Sequence, residues 1–77
     1  MVNTQLLEEA IAISGKKKAY LAEKCGLTRQ SLTSKINNRS EFTGTQTMIL
    51  CKELGIKQLT RKDAIFFAPE VDGTGNT

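Results

Sequence analysis

The sequence lacks most of the side chains on which enzymes and metal sites rely. Its 77 residues include no histidine, no tryptophan, one proline, one tyrosine and three phenylalanines. Without histidine, a tetrahedral zinc site at its two cysteines would have to recruit carboxylates, so we expect no metal and no cofactor. No nucleophile–base pair and no glycine-rich phosphate loop is present, so we expect neither enzymatic activity nor a small-molecule ligand.

Long apolar runs are also missing. Runs such as 10–13 and 64–68 have only four or five residues, whereas a membrane-spanning helix needs roughly 20. Glu8 and Glu9 stand where a signal peptide would carry basic and then apolar residues. We therefore expect a cytoplasmic protein with no membrane contact.

The two cysteines, Cys25 and Cys51, fall at positions that helical periodicity turns inward. A disulfide between them is one alternative. Free cysteine behaves as a small buried hydrophobe, however, and we expect both thiols to be core residues.

Charge is distributed unevenly along the chain. Seven Lys or Arg side chains and one acid, Glu23, lie between residues 14 and 40, whereas the remaining residues carry four bases and seven acids. A strongly positive third of a small domain is typical of a surface that binds nucleic-acid phosphates. The alternative is a solvated basic face without a partner.

Apolar residues recur at three- and four-residue steps, and no segment alternates with the period of two of a half-buried strand. The pattern predicts an all-α domain over residues 1–69 and a flexible tail over 70–77. On the fourth helix, Met48, Ile49, Cys51 and Leu54 are predicted to face the core. The five predicted helices span 4–14, 17–24, 29–37 with Thr28 as its N-cap, 43–54 with a Thr43–Gln46 capping box, and 61–67 with Thr60 and Asp63 as its cap signature.

The spacing of small and apolar residues in the second and third helices predicts a helix-turn-helix. Ala22 permits close approach of the two helices, Gly26 suits the positive backbone angle of the turn, and Leu27 follows as a buried anchor. An ordinary helical hairpin would need similar spacing. The full set of matching positions is Leu21, Ala22, Gly26, Leu27, Leu32 and Ile36.

The outer face of the third helix has no acidic residue between positions 28 and 38. A solvated helix face usually mixes glutamate with lysine, and serine, threonine and asparagine are mediocre helix formers, so this composition favours a binding role. Arginine can donate a fork to guanine and glutamine can pair with adenine, whereas serine and threonine read smaller features. Arg29, Gln30, Thr33 and Ser34 fall on one side as two pairs four residues apart, and we predict that they contact base edges.

Residues suited to phosphate surround this face. Such contacts position a protein on DNA without reading its sequence, and they make affinity fall as salt rises. For the lysine run, the alternative is a solvated loop. The predicted phosphate-binding residues are Lys16, Lys17, Lys18, Ser31, Lys35, Asn37 and Arg39.

The run KAYLAEKCGLTRQSLTSKINN resembles the helix-turn-helix of phage Cro and CI-type repressors, with its LAxKxG element. The segments SEFTGTQTMILCKELGI and IFFAPEV are similar to small Cro-like regulators of phages and prophages in Gram-positive bacteria. The resemblance implies a five-helix lambda-repressor-like domain that binds operator DNA and regulates transcription, commonly as a homodimer. It adds Thr28 to the base-reading set and places phosphate contacts at Lys18 and Asn37. Many relatives have glutamine or threonine where this chain has Lys18.

Two alternatives accompany this interpretation. The same fold can serve as a protein-interaction module, such as an antirepressor partner or an antitoxin. For dimerisation, the candidate surface is the fifth helix with the residues after it, where Ile65, Phe66, Phe67 and Val71 exceed what one small core is expected to absorb. Otherwise, Phe66 and Phe67 seal the base of the domain.

Overall fold

The computed structural model describes residues 1–69, and the predicted flexible tail at 70–77 lies outside these residues. Within them the chain forms five α-helices and no strand, which confirms the all-α prediction. The helices are α1 (Thr4–Ser14), α2 (Lys18–Lys24), α3 (Arg29–Ile36), α4 (Gly44–Leu54) and α5 (Leu59–Phe66).

One apolar core holds the helices together. Its fully buried side chains come from four helices, so no helix pair could bury its apolar stripe alone. α2 packs on α3, and α1 contacts α3, α4 and α5. The innermost residues are Leu7, Leu21, Leu32, Ile36 and Leu50.

Local capping agrees with most of the predicted helix ends. Thr43 Oγ1 accepts from the Gln46 amide at 3.1 Å, and Gln46 Oε1 accepts from the Thr43 amide at 3.0 Å, which completes the predicted capping box. α4 ends in a Schellman arrangement in which the Ile56 amide donates to the Cys51 carbonyl at 2.8 Å. α1 has an N-cap that was not predicted from the sequence, Asn3, whose side chain accepts from the Leu6 amide.

The predicted start of α5 is wrong. The helix begins at Leu59, two residues earlier than predicted, and Gln58 occupies the cap position without a side-chain cap hydrogen bond. Thr60 already lies inside the helix, so its hydroxyl cannot cap it. The Lys62 amide donates to the Gln58 carbonyl at 3.0 Å, so the first helical turn already encloses Thr60.

The prediction that Met48 faces the core is also wrong, because this side chain is 66% exposed. The complete burial of Leu50 sets the rotation of α4, and the inward stripe then runs through Thr47, Leu50 and Cys51. Thr47 tolerates burial because its hydroxyl donates to the Thr43 carbonyl at 3.1 Å.

Both cysteines are buried and free, as predicted. Burial raises the pKa of the Cys25 thiol, and the nearby Glu53 carboxylate raises it further. Burial likewise raises the pKa of Cys51, partly offset by the Lys62 charge. Two protonated, enclosed thiols are poor nucleophiles, in keeping with a packing role.

Leu32→Ala is expected to lower the free energy of unfolding by about 2–5 kcal/mol, because it leaves a cavity at a fully buried site that α2 and α3 share. The matched control is Ile13→Ala, an apolar truncation on α1 at a side chain that is 81% exposed. Urea unfolding should place the control within about 0.5 kcal/mol of the unaltered chain. Equal losses in the two variants would contradict this core.

Candidate nucleic-acid interface

The connection between α2 and α3 is short, and the amides of Cys25, Gly26 and Leu27 all donate to carbonyls of α2. Gly26 adopts φ +71°, where a side chain would be strained, and its amide donates to the Glu23 carbonyl at 3.1 Å. The Leu27 amide donates to the Ala22 carbonyl at 2.8 Å, so α2 also ends in a Schellman arrangement. Ala22 is buried and Leu27 packs against the core, as their spacing predicted.

The inner face of α3 is anchored by Leu32 and Ile36, and its other side chains lie towards solvent. Of the predicted base-reading residues, Thr28, Arg29 and Gln30 are exposed, while Thr33 and Ser34 are half-buried. The Thr33 hydroxyl donates to the Arg29 carbonyl at 3.0 Å, so in this state its proton is used within the helix. Its methyl group and its remaining acceptor capacity stay available.

Thr28 is the N-cap of α3, as predicted. Its Oγ1 accepts from the Ser31 amide at 3.0 Å and donates to Ser31 Oγ at 3.0 Å. Both hydroxyls are therefore engaged at the start of the helix, and Ser31 has a capping partner that was not predicted from the sequence. The two residues hold the first turn from which Arg29 and Gln30 project.

The cations of α3 and the loop after it are not neutralised by carboxylates within the described part of the chain. Among residues 1–69, neither Arg29 nor Lys35 nor Arg39 forms an ion pair. Lys35 Nζ instead donates to the main-chain carbonyl of Glu41 at 2.7 Å. Among residues 1–69, folding therefore brings no carboxylate into ion-pair distance of Arg29, Lys35 or Arg39.

The predicted lysine run divides into two kinds of residue. Lys16 Nζ donates to the Glu53 carboxylate at 2.9 Å and to its carbonyl oxygen at 2.8 Å. Lys18 Nζ pairs with Glu8 Oε2 at 2.9 Å. Lys17, the N-cap residue of α2, is exposed and forms no ion pair with any described residue. The sequence alone could not indicate this division, because both partners come from other helices.

Glu53 joins the start of α2 to the end of α4. Besides Lys16, its carboxylate accepts from the Tyr20 hydroxyl at 3.0 Å, and Lys24 Nζ lies 5.4 Å from the centre of the Tyr20 ring. The hydrogen bonds from Lys16 and Tyr20 lower the pKa of Glu53. Glu53 was not predicted to matter, and no local pattern would have identified it.

Beyond α3, the chain turns sharply at Asn38, which has φ +64°. Asn37 and Arg39, two predicted phosphate-binding residues, lie on either side of it and are exposed. Asn38 itself was not predicted as a functional residue. Its side-chain amide bonds to the main chain of Val2, which is buried.

Neither a metal-binding cluster nor a membrane-spanning helix is found among residues 1–69. No group of three or more acidic, cysteine or histidine side chains in this range could hold a metal ion. None of the five helices has the length and apolar character needed to cross a membrane.

Comparisons with models of protein families, with curated proteins and with solved structures found no match.

Glu53→Gln is expected to destabilise the fold at neutral pH and to matter less in acid. Because the folded-state pKa of Glu53 is depressed, its stabilisation is present above its ordinary pKa and is lost as pH falls through the lowered value. Thermal melts at pH 7 and pH 3 should show a Tm deficit that shrinks at the lower pH. Glu9→Gln, on an exposed carboxylate of α1, is the control. A deficit of the same size at both pH values would contradict the ion-pair assignment.

Proposed function

We propose that this chain is a sequence-specific DNA-binding transcriptional regulator of the Cro-like type, which inserts α3 into the major groove of operator DNA. The observation that carries the proposal is the outer face of α3, which is exposed at Arg29 and Gln30 and contains no carboxylate. Such a face favours the binding of a polyanion, since a single carboxylate there would repel phosphate groups. The proposal assigns the chain no catalytic role and places its action on DNA in the cytoplasm.

The packing of α2 and α3 supports a helix-turn-helix. α3 is short, is buried along one side only and begins at a capped first turn, so its N-terminal residues protrude. In helix-turn-helix proteins the N-terminal residues of the second helix contact base edges. With five helices around one core, the proposed architecture is the lambda-repressor-like domain.

Within this proposal Arg29 and Gln30 supply the strongest base contacts. A guanidinium can bond guanine O6 and N7 together, and a carboxamide can bond adenine N6 and N7. Thr33 and Ser34, one turn further along and half-buried, add smaller contacts to methyl groups or base edges. Thr28 holds the helix start and is the fifth residue proposed to contact bases.

Phosphate contacts fall on both sides of α3. Lys17 lies on one side, and Lys35, Asn37 and Arg39 lie on the other. Lys16 and Lys18 would have to exchange their Glu53 and Glu8 partners for phosphate. Such exchange is accessible in free energy, because both ion pairs are partly exposed and surface ion pairs contribute only about 0–1 kcal/mol.

A homodimer on DNA is part of the proposal, since one recognition helix covers only a few base pairs. The structure buries some of the apolar residues from which the dimer was predicted and leaves others exposed. Ile65 and Phe66 are buried, and Phe66 packs edge-on against Phe42 with ring centres 5.9 Å apart. Phe67 and Leu59 remain exposed at the ends of α5 and are the candidate contacts with a second copy. Val71 lies outside the described residues.

Replacing Arg29 and Gln30 by alanine is expected to relax sequence preference and to cost about 1–3 kcal/mol per lost bidentate contact. Lys17→Ala should weaken binding to all duplexes alike and reduce the salt slope by about 1. The measurement is fluorescence anisotropy with labelled duplexes, first selected for binding from a random pool, at several salt concentrations.

Lys57→Ala serves as the control for Lys17→Ala, because it removes an exposed lysine outside residues 14–40, where the bases are concentrated. It should leave affinity and slope unchanged. The proposal fails if the unaltered chain binds duplex DNA without salt dependence, or if the Arg29 and Gln30 double variant keeps full sequence preference. Binding to a protein partner without DNA affinity would favour the interaction-module alternative.

Phe67→Ser is expected to weaken self-association without unfolding the domain, because Phe67 is 58% exposed and stands at the end of α5. Sedimentation velocity over a range of concentrations, with and without operator duplex, measures the effect. Ile13→Ser, on an exposed residue of α1, is the matched control. An unchanged monomer–dimer equilibrium in the Phe67 variant would place the dimer contact elsewhere.

A further inference from the structure

The first four residues form a strap, residues 1–4, that lies between the end of α3 and the end of α5. On the α5 side, the Asn3 amide donates to the Ile65 carbonyl at 2.7 Å, and the Ala68 amide donates to the Met1 carbonyl at 2.9 Å. Val2 is buried between these bonds. The strap is therefore fixed to the core on its α5 side, independently of its contacts with α3.

On the α3 side, Asn38 binds the strap through both ends of its amide. Its Oδ1 accepts from the Val2 amide at 2.8 Å, and its Nδ2 donates to the Val2 carbonyl at 2.8 Å. The side chain thus pairs with the main chain of Val2 as a neighbouring strand would. The φ of +64° at Asn38, which asparagine tolerates better than most residues, directs the amide towards the strap.

The pair of hydrogen bonds between Asn38 and Val2, here called the clasp, affects binding through the neighbours of Asn38. Asn37 and Arg39 flank it, and the Arg39 amide donates to the Ser34 carbonyl at 2.9 Å. This bond and the bonds between Asn38 and Val2 together hold the main chain from which both proposed phosphate contacts extend. The end of α3 itself is held by the Thr4 hydroxyl, which donates to the Ile36 carbonyl at 2.7 Å and accepts a longer bond from Asn38 Nδ2 at 3.5 Å.

We infer that Asn38 is a positioning residue for DNA binding, which clamps the loop after α3 to the strap so that Arg39 is held where it meets the phosphate backbone. This inference rests on the proposed function. Asn38 acts through Arg39 and need not touch DNA itself. Because a long, flexible arginine loses conformational entropy on binding, a fixed main chain reduces what must still be ordered when the contact forms.

The test is a double-mutant cycle with Asn38→Gly and Arg39→Ala, measured by anisotropy with the selected duplex and with an unrelated duplex. Glycine keeps access to the positive φ and removes the whole Asn38 side chain, so the variant breaks the hydrogen bonds of that side chain without straining the main chain. We expect each single variant to weaken binding to both duplexes and to lower the salt slope by about 1. The double variant should also lower the salt slope by about 1, rather than by about 2, because both changes remove the same phosphate contact.

Asn3→Ala is the matched control. Asn3 is another asparagine of the strap, but its side chain caps α1 at the Leu6 amide and makes no bond to residues 37–39. Its loss should lower Tm, yet its effect on DNA affinity should be small and additive with Arg39→Ala. Thermal melts of all variants confirm that binding is measured on folded protein.

Additive effects of Asn38→Gly and Arg39→Ala on affinity and slope would overturn the inference, as would an Asn38→Gly variant that binds like the unaltered chain. Both results leave the proposed function standing. Failure of the unaltered chain to bind any duplex would overturn the proposed function, and the inference with it.

Discussion

The burial of one side of α3 against α2 is the constraint on which the rest of the structure depends. Leu32 and Ile36 are fully enclosed, together with Leu21 of α2, and the turn between the helices is closed by the bonds at Gly26 and Leu27. A helix of eight residues has little stability of its own, so tertiary packing must hold it. Because that packing buries only the apolar side of α3, its polar side stays accessible to a ligand.

Two further devices hold this helix pair from opposite ends. At the start of α2, Glu53 ties Lys16 and Tyr20 to α4, and at the end of α3, Asn38 ties the chain to the strap. Both use polar side chains from distant parts of the sequence, and the second fixes the chain to Val2, which belongs to the core. Together they define the orientation of the proposed recognition face relative to the basic residues around it, which is the property that a rigid reader of DNA requires.

Much of the fold was predictable because its determinants are local. Gly26, the Thr28 cap and the Thr43–Gln46 capping box each involve residues within a few positions of one another, and each was identified correctly. The errors arose where distant packing decides. The spacing within α4 predicts Met48 as a core residue. Only the burial of Leu50 in the folded domain shows that Thr47, and not Met48, faces the core. Thr60 looks like a cap, but α5 begins one residue before it, at Leu59, with the Lys62 amide bonded to the Gln58 carbonyl.

The sequence by itself determined the all-α character, most of the helix bounds, the acid-free composition of residues 28–38 and the excess of bases between 14 and 40, since all of these depend on residue type and spacing. Tertiary structure alone decided which of the lysines are paired, because Glu8 and Glu53 reach them from other helices. It also decided that Asn38 meets Val2, 36 positions away, and that Phe66 is enclosed while Phe67 is not. The physical reason is the same in each case: a charge, an amide or an aromatic ring acquires its role from neighbours that only folding brings within a few ångströms.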